Sequence, residues 1–544
     1  MSSSAQIYTN ITPIDKYIYK PAAKLWCAGK RTWAYLRESQ WHTAGTALAV
    51  SLLAGGILVG RDEEKALSSL GLHTLACLTL LFANRDGILR QLPISTLIQN
   101  PQSTAAKMQM LARKVLTLDS RYLAPGTFKE QAGLADRPVP RLVDTVPRFL
   151  SSVQPFMEEE DFASFSQDFQ AFARSREAFL IQLGLEEFAS DKRNWIKQLW
   201  VEWAYLASRQ PLNMSSSWFG LDAQKPRQLP DGAYKGLIRA THVLTATQDY
   251  YQKIKEGTLA YEHPRLPICM EQYTRLFGSV RIPEEGMDRL ESYPESTYMI
   301  LYDRGQYFKF PLFEEGRPLD EATIFNRLVA MRKVEQKEEI EKKSEVNLLT
   351  MLTREEWAQA RTELQEHPTN QATLEEIEKA MYILILDPHT PNTLNESGHD
   401  ALCGTYGRWV DKMCLMIDYE GQLRALIEHT VSDATIQAAF LQYALRKEEK
   451  RFPLVEGAVV IPQIEKKEIE SPAPTPLAWH LNECLEGKIQ RAAVQHADDI
   501  KDIELDILNF TDYGKDYIKK VWLSPTEKGL SPDAWFQMAL QLAY

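Results

Sequence analysis

An α/β fold is the class that this sequence predicts, on three observations. Short β-prone runs recur along it: TYMILYD (Thr297 to Asp303), YFKFPLF (Tyr307 to Phe313), MYILILD (Met381 to Asp387) and MCLMIDY (Met413 to Tyr419). Amphipathic helical stretches separate them, and such mixing indicates an α/β or α+β domain. The chain has 544 residues, 44% of them hydrophobic, which is ample for a large core and for roughly three domains.

Composition then excludes several function classes. The balance of 62 Lys+Arg against 73 Asp+Glu gives a net charge of −11, which argues against a general nucleic-acid binder and for no nucleic-acid partner. Charged residues at 25% and aromatics at 10% exclude a mostly disordered chain. The six cysteines (Cys27, Cys77, Cys269, Cys403, Cys414, Cys484) form no CxxC, so reduced thiols are expected rather than disulfides or a zinc site.

Taken in order, the chain opens with a membrane signal. Thr43 to Gly60 reads TAGTALAVSLLAGGILVG and Ala66 to Asn84 reads ALSSLGLHTLACLTLLFAN, both uncharged. Each has the length of a helix that crosses about 30 Å of hydrocarbon. Ser68, Ser69 and His73 weaken the second run, and a buried helical hairpin is the competing reading. Lys16, Lys20, Lys24, Lys30, Arg31 and Arg37 flank the first span, and Arg85, Arg90, Lys107, Arg113 and Lys114 follow the second. The link RDEEK holds only Arg61 and Lys65 as bases, so the positive-inside rule puts both termini in the cytosol. The spans begin too far from the start for a cleaved signal peptide. Gly56 and Gly60 make a small-xxx-small step suited to packing the spans together or to self-association.

Residues 1–85 are thus read as a cytosolic segment and transmembrane hairpin, and 86–133 as a connector, helical from Thr104 to Leu118. Residues 134–470 hold the α/β pattern, with a solvated charged stretch from Glu335 to Glu345. The proline-rich link Ser471 to Pro476 marks a subdomain boundary, leaving 471–544 as the start of a second part.

No Walker loop, GxGxxG, GxSxG or HExxH is present. Of ten histidines only His429 has an acid four residues later, Asp433, in EHTVSDA. HxxxD is short, and a hydrogen-bonded structural histidine is the competing reading. The setting favours chemistry, because the motif follows a strand-like run and a glycine turn at Gly421. An imidazole at a strand end, oriented by a carboxylate, is suited to act as a general base toward a hydroxyl or thiol.

Several ordered blocks carry a resemblance from about Leu134 to Tyr544. They are Arg137 to Leu150 (RPVPRLVDTVPRFL), Arg193-Asn-Trp195 with Trp200, Trp203, Ala204-Tyr-Leu206 and Arg209-Gln-Pro-Leu212, and Cys269-Met-Glu-Gln-Tyr273 with Arg275-Leu-Phe277 and Arg281-Ile-Pro283. Arg408-Trp-Val-Asp-Lys412, Glu428-His429, Tyr513-Gly-Lys515, Ile518-Lys-Lys520 and Ser531-Pro-Asp-Ala534 complete the set. Together they resemble the carnitine/choline acyltransferase family, and within it the carnitine palmitoyltransferases of the mitochondrial outer membrane. Ala135 and Arg137 depart from the family's usual Pro and Leu.

The resemblance implies a two-lobed CoA-dependent acyltransferase fold, chloramphenicol acetyltransferase-like, with the second lobe incomplete. It implies reversible transfer of a long-chain fatty acyl group between CoA and the carnitine hydroxyl, serving mitochondrial import and fatty acid oxidation. Acyl-CoA and carnitine are then substrates, and no cofactor or metal is held permanently. His429 would take the proton from the hydroxyl or the CoA thiol, with direct attack and no acyl-enzyme, and Asp433 would fix its tautomer. Lys519 and its neighbour Lys520, or Lys528, would meet the CoA phosphates, beside Ser531 and Asp533 of the SPD motif. Ser524-Pro525 and Ser531-Pro532 look like a small duplication, which leaves open which lysine faces CoA. Family members continue beyond the point where this chain stops, Tyr544, into groups that bind carnitine and the oxyanion. Little or no activity is therefore expected of the chain as it stands, and a non-catalytic half-enzyme that binds acyl-CoA or a partner is the alternative.

Overall fold

The computed structural model describes residues 126–222, 235–260, 268–335, 345–451, 454–455, 458–459, 474–521 and 531–544. The expected spans at 43–60 and 66–84, the connector helix at 104–118 and Lys528 lie outside the described residues. Among the described residues, no helix is long and apolar enough to cross a membrane. The chain forms two compact units, one of Met1–Leu199 with Ala260–Met270 and one of Trp200–Leu259 with Glu271–Tyr544.

The described part of the first unit is helical. Helices span Leu142–Val153, Glu159–Ala173 and Arg176–Ala189. The third starts where the Ser175 hydroxyl accepts from the Ala178 N–H, which satisfies one of the donors that a helix start leaves open. Phe149 packs on Phe165 and Phe169, with ring centroids 6.3 and 4.8 Å away, and so joins the first two helices. The Arg193 guanidinium donates to Asp136 at 2.9 Å and to the Leu134 carbonyl at 2.6 Å. Backbone bonds tie two of the recurrent blocks together: the Arg137 N–H donates to the Arg193 carbonyl at 2.6 Å and the Trp195 N–H to the Arg137 carbonyl at 3.1 Å.

The second unit is built on a seven-stranded mixed sheet. Its strands are β1 (Trp218–Leu221), β2 (Tyr298–Asp303), β3 (Gln306–Pro311), β4 (Ile383–Asp387), β5 (Cys414–Asp418), β6 (Leu423–Ile427) and β7 (Thr475–Pro476). Their order is β1-β6-β5-β4-β2-β3-β7. The pairs β2–β4 and β4–β5 are parallel and the remaining pairs antiparallel. Every residue of β4 and β5 is buried, so ILILD and CLMID read as unbroken apolar runs rather than alternating ones. All four runs expected from the sequence form strands, and β1, β6 and β7 extend the sheet beyond them.

Turn chemistry closes the hairpins. Arg304 and Gly305, between β2 and β3, both have positive φ, the combination that suits the twist of a two-residue hairpin. Between β5 and β6, Asp418 accepts from the N–H groups of Glu420 and Gln422 while Gly421 sits at φ 89°.

One face of the sheet carries a core around Trp357 and Trp409, whose rings meet edge-on at 5.8 Å. Leu477, Leu485, Ile489 and Ala492 bury into the same core, the last three from the helix Glu483–Ile500. The boundary expected at 471 thus falls inside the second unit, and the proline of β7 takes an edge position, where its missing N–H costs no ladder bond. Helices Lys235–Lys255 and Ala434–Arg451 pack together, and His242 Nε2 lies 3.1 Å from the Ala444 carbonyl. Gly236 approaches β5 so closely that a Cβ would stand 2.6 Å from the Asp418 carbonyl oxygen.

Candidate active site

Strand β6 ends at Ile427, and the chain then turns through Glu428, His429, Thr430 and Val431 before the helix Ala434–Arg451. The Glu428 carboxylate points inward and closes this turn. It accepts from the Thr430 N–H at 3.1 Å, the Thr430 hydroxyl at 2.6 Å and the Val431 N–H at 3.3 Å. An ionised acceptor makes such bonds stronger than neutral ones. His429 is the residue that the turn sends outward, with its side chain 32% exposed.

A buried ionic network holds the turn from beneath. Arg281, on the strand Ser279–Ile282, donates to Thr430 Oγ1 at 3.2 Å, to the Tyr205 carbonyl at 2.8 Å and to the Ser208 carbonyl at 3.2 Å. Its Nε donates to Asp288 at 2.7 Å, and Asp288 also accepts from Arg354 at 2.6 Å and Arg209 at 2.8 Å. Arg354 continues to Asp411 at 2.7 Å, which also accepts from the Trp357 indole at 2.7 Å. Burial lifts the Asp411 carboxyl above the usual carboxylate range, against the pull of Arg354 and Trp357.

The RWVDK block is part of this scaffold. Lys412 is wholly buried and donates to the carbonyls of Ser279 at 3.0 Å and Glu378 at 2.9 Å. Burial pushes its ammonium down to about 7, opposed by the nearby charge of Glu378. Arg408 bonds Asp400 at 2.6 Å and Asp387, at the end of β4, at 3.4 Å.

Tyr205 reaches His429 from a π-helical turn, Val201–Leu206, in which the Ala207 N–H bonds to the Glu202 carbonyl at 2.8 Å. Such turns re-aim side chains and recur at functional sites. The Tyr205 ring meets the imidazole edge-on, with centroids 5.4 Å apart. Burial raises the Tyr205 phenol above its ordinary value, a hydrogen bond from Trp200 pulls it down, and the charges of Asp433 and Glu428 push it further up. The phenol therefore stays neutral at physiological pH.

Asp433 stands beside His429 without bonding it. The separation of Nε2 from Oδ1 is 3.9 Å, beyond hydrogen-bond range. Its carboxylate instead accepts from Gln272 Nε2 at 3.2 Å, and its backbone N–H donates to Gln272 Oε1 at 2.9 Å. The tautomer-fixing bond expected of Asp433 is thus not made in this arrangement.

Of the residues expected to contact CoA, Lys519 and Lys520 lie on the helix Lys515–Val521, with side chains outside the described set, as is all of Lys528. The Ser531 hydroxyl accepts from the Ala534 N–H at 3.3 Å, so this serine caps the helix Pro532–Ala543, with Asp533 in its first turn. Among the described residues, no hydrogen bond or ion pair joins that helix to His429 or Asp433, and no cluster of acids, cysteines and histidines is arranged to hold a metal ion. Sequence reasoning missed Gln272, Tyr205, Arg281 and Glu428 as parts of the site. All four lay inside the recurrent blocks, where they served as marks of resemblance without a role.

The family model described as Choline/Carnitine o-acyltransferase matches residues 137–544. The choline O-acetyltransferase of Danio rerio is 29% identical over 385 residues, 67% of this chain and 57% of its own length. The mitochondrial carnitine O-acetyltransferase of Saccharomyces cerevisiae is 26% identical over 428 residues, 77% of this chain and 62% of its own. The carnitine O-acetyltransferase of Homo sapiens is 26% identical over 382 residues, 67% of this chain and 57% of its own. The chain thus spans about three-fifths of the length of the curated relatives it matches. With three-quarters of its residues inside the family match, and with His429 presented at the end of an interior sheet strand, the chain belongs to the choline/carnitine O-acyltransferase family.

Proposed function

We propose that this chain carries the part of a carnitine O-acyltransferase in which His429 is the general base, moving an acyl group between CoA and the carnitine hydroxyl. The observation that carries the reading is the presentation of His429: its neighbours Glu428 and Thr430 are locked inward and its ring is held outward against Tyr205. An imidazole so placed takes the hydroxyl proton as the oxygen attacks the thioester carbon and returns it to the departing sulfur, so neither direction requires an acyl-enzyme. Lys519, Lys520 or Lys528, with Ser531 and Asp533, supply the CoA-facing side of this proposal. The relatives are named as acetyltransferases of choline or carnitine. A long acyl chain and an outer-mitochondrial location, with both termini in the cytosol, rest here on the two apolar runs at 43–60 and 66–84.

The test is thiol release by the purified full chain from acetyl-CoA through palmitoyl-CoA, with carnitine or choline as acceptor. Loss in His429→Ala of whatever turnover the wild type shows with carnitine, while the fold and membrane attachment are kept, is the expected result. Retained turnover in that variant refutes the assignment of the base. Saturable CoA binding by the wild type without turnover would replace it with a non-catalytic half-enzyme.

A further inference from the structure

The carboxamide of Gln272 grips Asp433 twice, once through the backbone N–H at 2.9 Å and once through Oδ2 at 3.2 Å. The second carboxylate oxygen is left 3.9 Å from His429 Nε2. A hydrogen bond between them needs about 2.7–3.2 Å. One carboxylate oxygen is thus held by Gln272 while the other stops short of the ring.

We propose that Gln272 is a positioning residue, which holds the Asp433 carboxylate off the imidazole and leaves His429 Nε2 without a fixed acceptor. The inference rests on His429 being the base, and deepens that reading. Among the described residues, the charged and titratable groups of this turn and of its supports are Glu428, Arg281, Tyr205 and Asp433. Glu428 is turned inward onto Thr430 and Val431, with Arg281 Nη1 3.7 Å away. Tyr205 is a neutral phenol. Asp433, with a side chain 68% exposed, is the carboxylate with room to change its partner.

The two states differ chemically. A carboxylate bonded to Nε2–H fixes the proton on that nitrogen, stabilises the imidazolium and leaves Nδ1 as the sole acceptor. Held back by Gln272, the same carboxylate acts on the ring only through space, and Nε2 keeps its lone pair available. The glutamine thus sets both the basicity of His429 and which nitrogen carries it.

Histidine-selective NMR on the full chain tests this without requiring turnover, with His429→Gln identifying the resonance. In Gln272→Leu the His429 titration midpoint should rise by about half to one pH unit, and the neutral ring should shift toward the Nε2–H tautomer. Asp433→Asn should lower the midpoint, and the Gln272→Leu/Asp433→Asn double variant should follow Asp433→Asn alone. Should the leucine variant fail to fold, Gln272→Asn decides, because its shorter amide cannot hold both groups and should shift the midpoint the same way. An unchanged midpoint and tautomer on loss of Gln272 overturns the proposal, and so does an upward shift that survives in the double variant. Turnover retained in His429→Ala would instead refute the base assignment and leave the NMR result standing.

Discussion

Arg281 and Glu428 are both wholly buried, with Nη1 of the arginine 3.7 Å from the carboxylate. Neither charge is solvated, so each depends on the other and on the hydrogen bonds around them. Removing one partner of such a pair strands the other. Arg281→Met should destabilise the second unit by about 3–5 kcal/mol. Denaturant titration checks this. Arg281→Lys, which keeps the charge but not the fork of donors to Tyr205, Ser208 and Thr430, should recover only part of the loss.

Lys412 gives a pH-dependent counterpart. Its folded-state value, about 7, lies below its ordinary value of 10.5. Between those limits the unfolded chain binds the extra proton, so this group makes stability rise with pH, by up to about 1.4 kcal/mol per pH unit. Below about 7 both states are protonated and its contribution is flat. Lys412→Met removes the slope, so the wild type should lose ground to the variant as pH falls from 10 to 7. Parallel stability-against-pH curves for the two proteins would contradict the buried ammonium.

Asp249 should do the opposite at the acid end. Burial raises its carboxyl, but hydrogen bonds from Lys253, Lys447 and Tyr443 outweigh that and hold it down to about 2. The stability it adds is present above the ordinary carboxylate range and is lost as pH falls toward 2. Lys447 and Tyr443 lie on Ala434–Arg451 and Asp249 on Lys235–Lys255, so acid should loosen this helix pair. In Asp249→Asn the acid limb of the unfolding curve should flatten, and a limb identical to the wild type would remove the link.

Gly236→Ala should cost about 1–3 kcal/mol, since the new methyl meets a backbone carbonyl that cannot move without β5. Thermal unfolding reads this directly. A change within experimental scatter would mean that the helix start can shift away from the strand.

Much of the fold was legible in the sequence because β2, β4 and β5 are buried almost throughout. Their apolar runs therefore stand out without any need for alternation. Strand β6 was not singled out, because Arg424 interrupts LRALI; its guanidinium donates to Asp387 at 3.2 Å and also pairs with Asp400. A buried ion pair looks like a surface residue when only one partner is in view. Strand β7 has two residues, one of them proline, and is defined by its neighbour β3 rather than by its own propensity. The candidate site divides along the same line. His429 and Asp433 are four residues apart and can be read as a pair, whereas Gln272 is separated from Asp433 by 161 positions. Only folding brings that amide to the acid, and with it the reason why the pair is not hydrogen-bonded.

The wide turn at Val201–Leu206 sets a constraint of reading phase. Each residue advances an α-helix by about 100°, so deleting one residue there would restore ordinary winding and rotate everything on one side by that amount. Tyr205 would then face away from His429 although its own side chain was retained. The segment should therefore accept many substitutions more readily than a single deletion, and its length, more than its composition, keeps the aromatic edge against the imidazole.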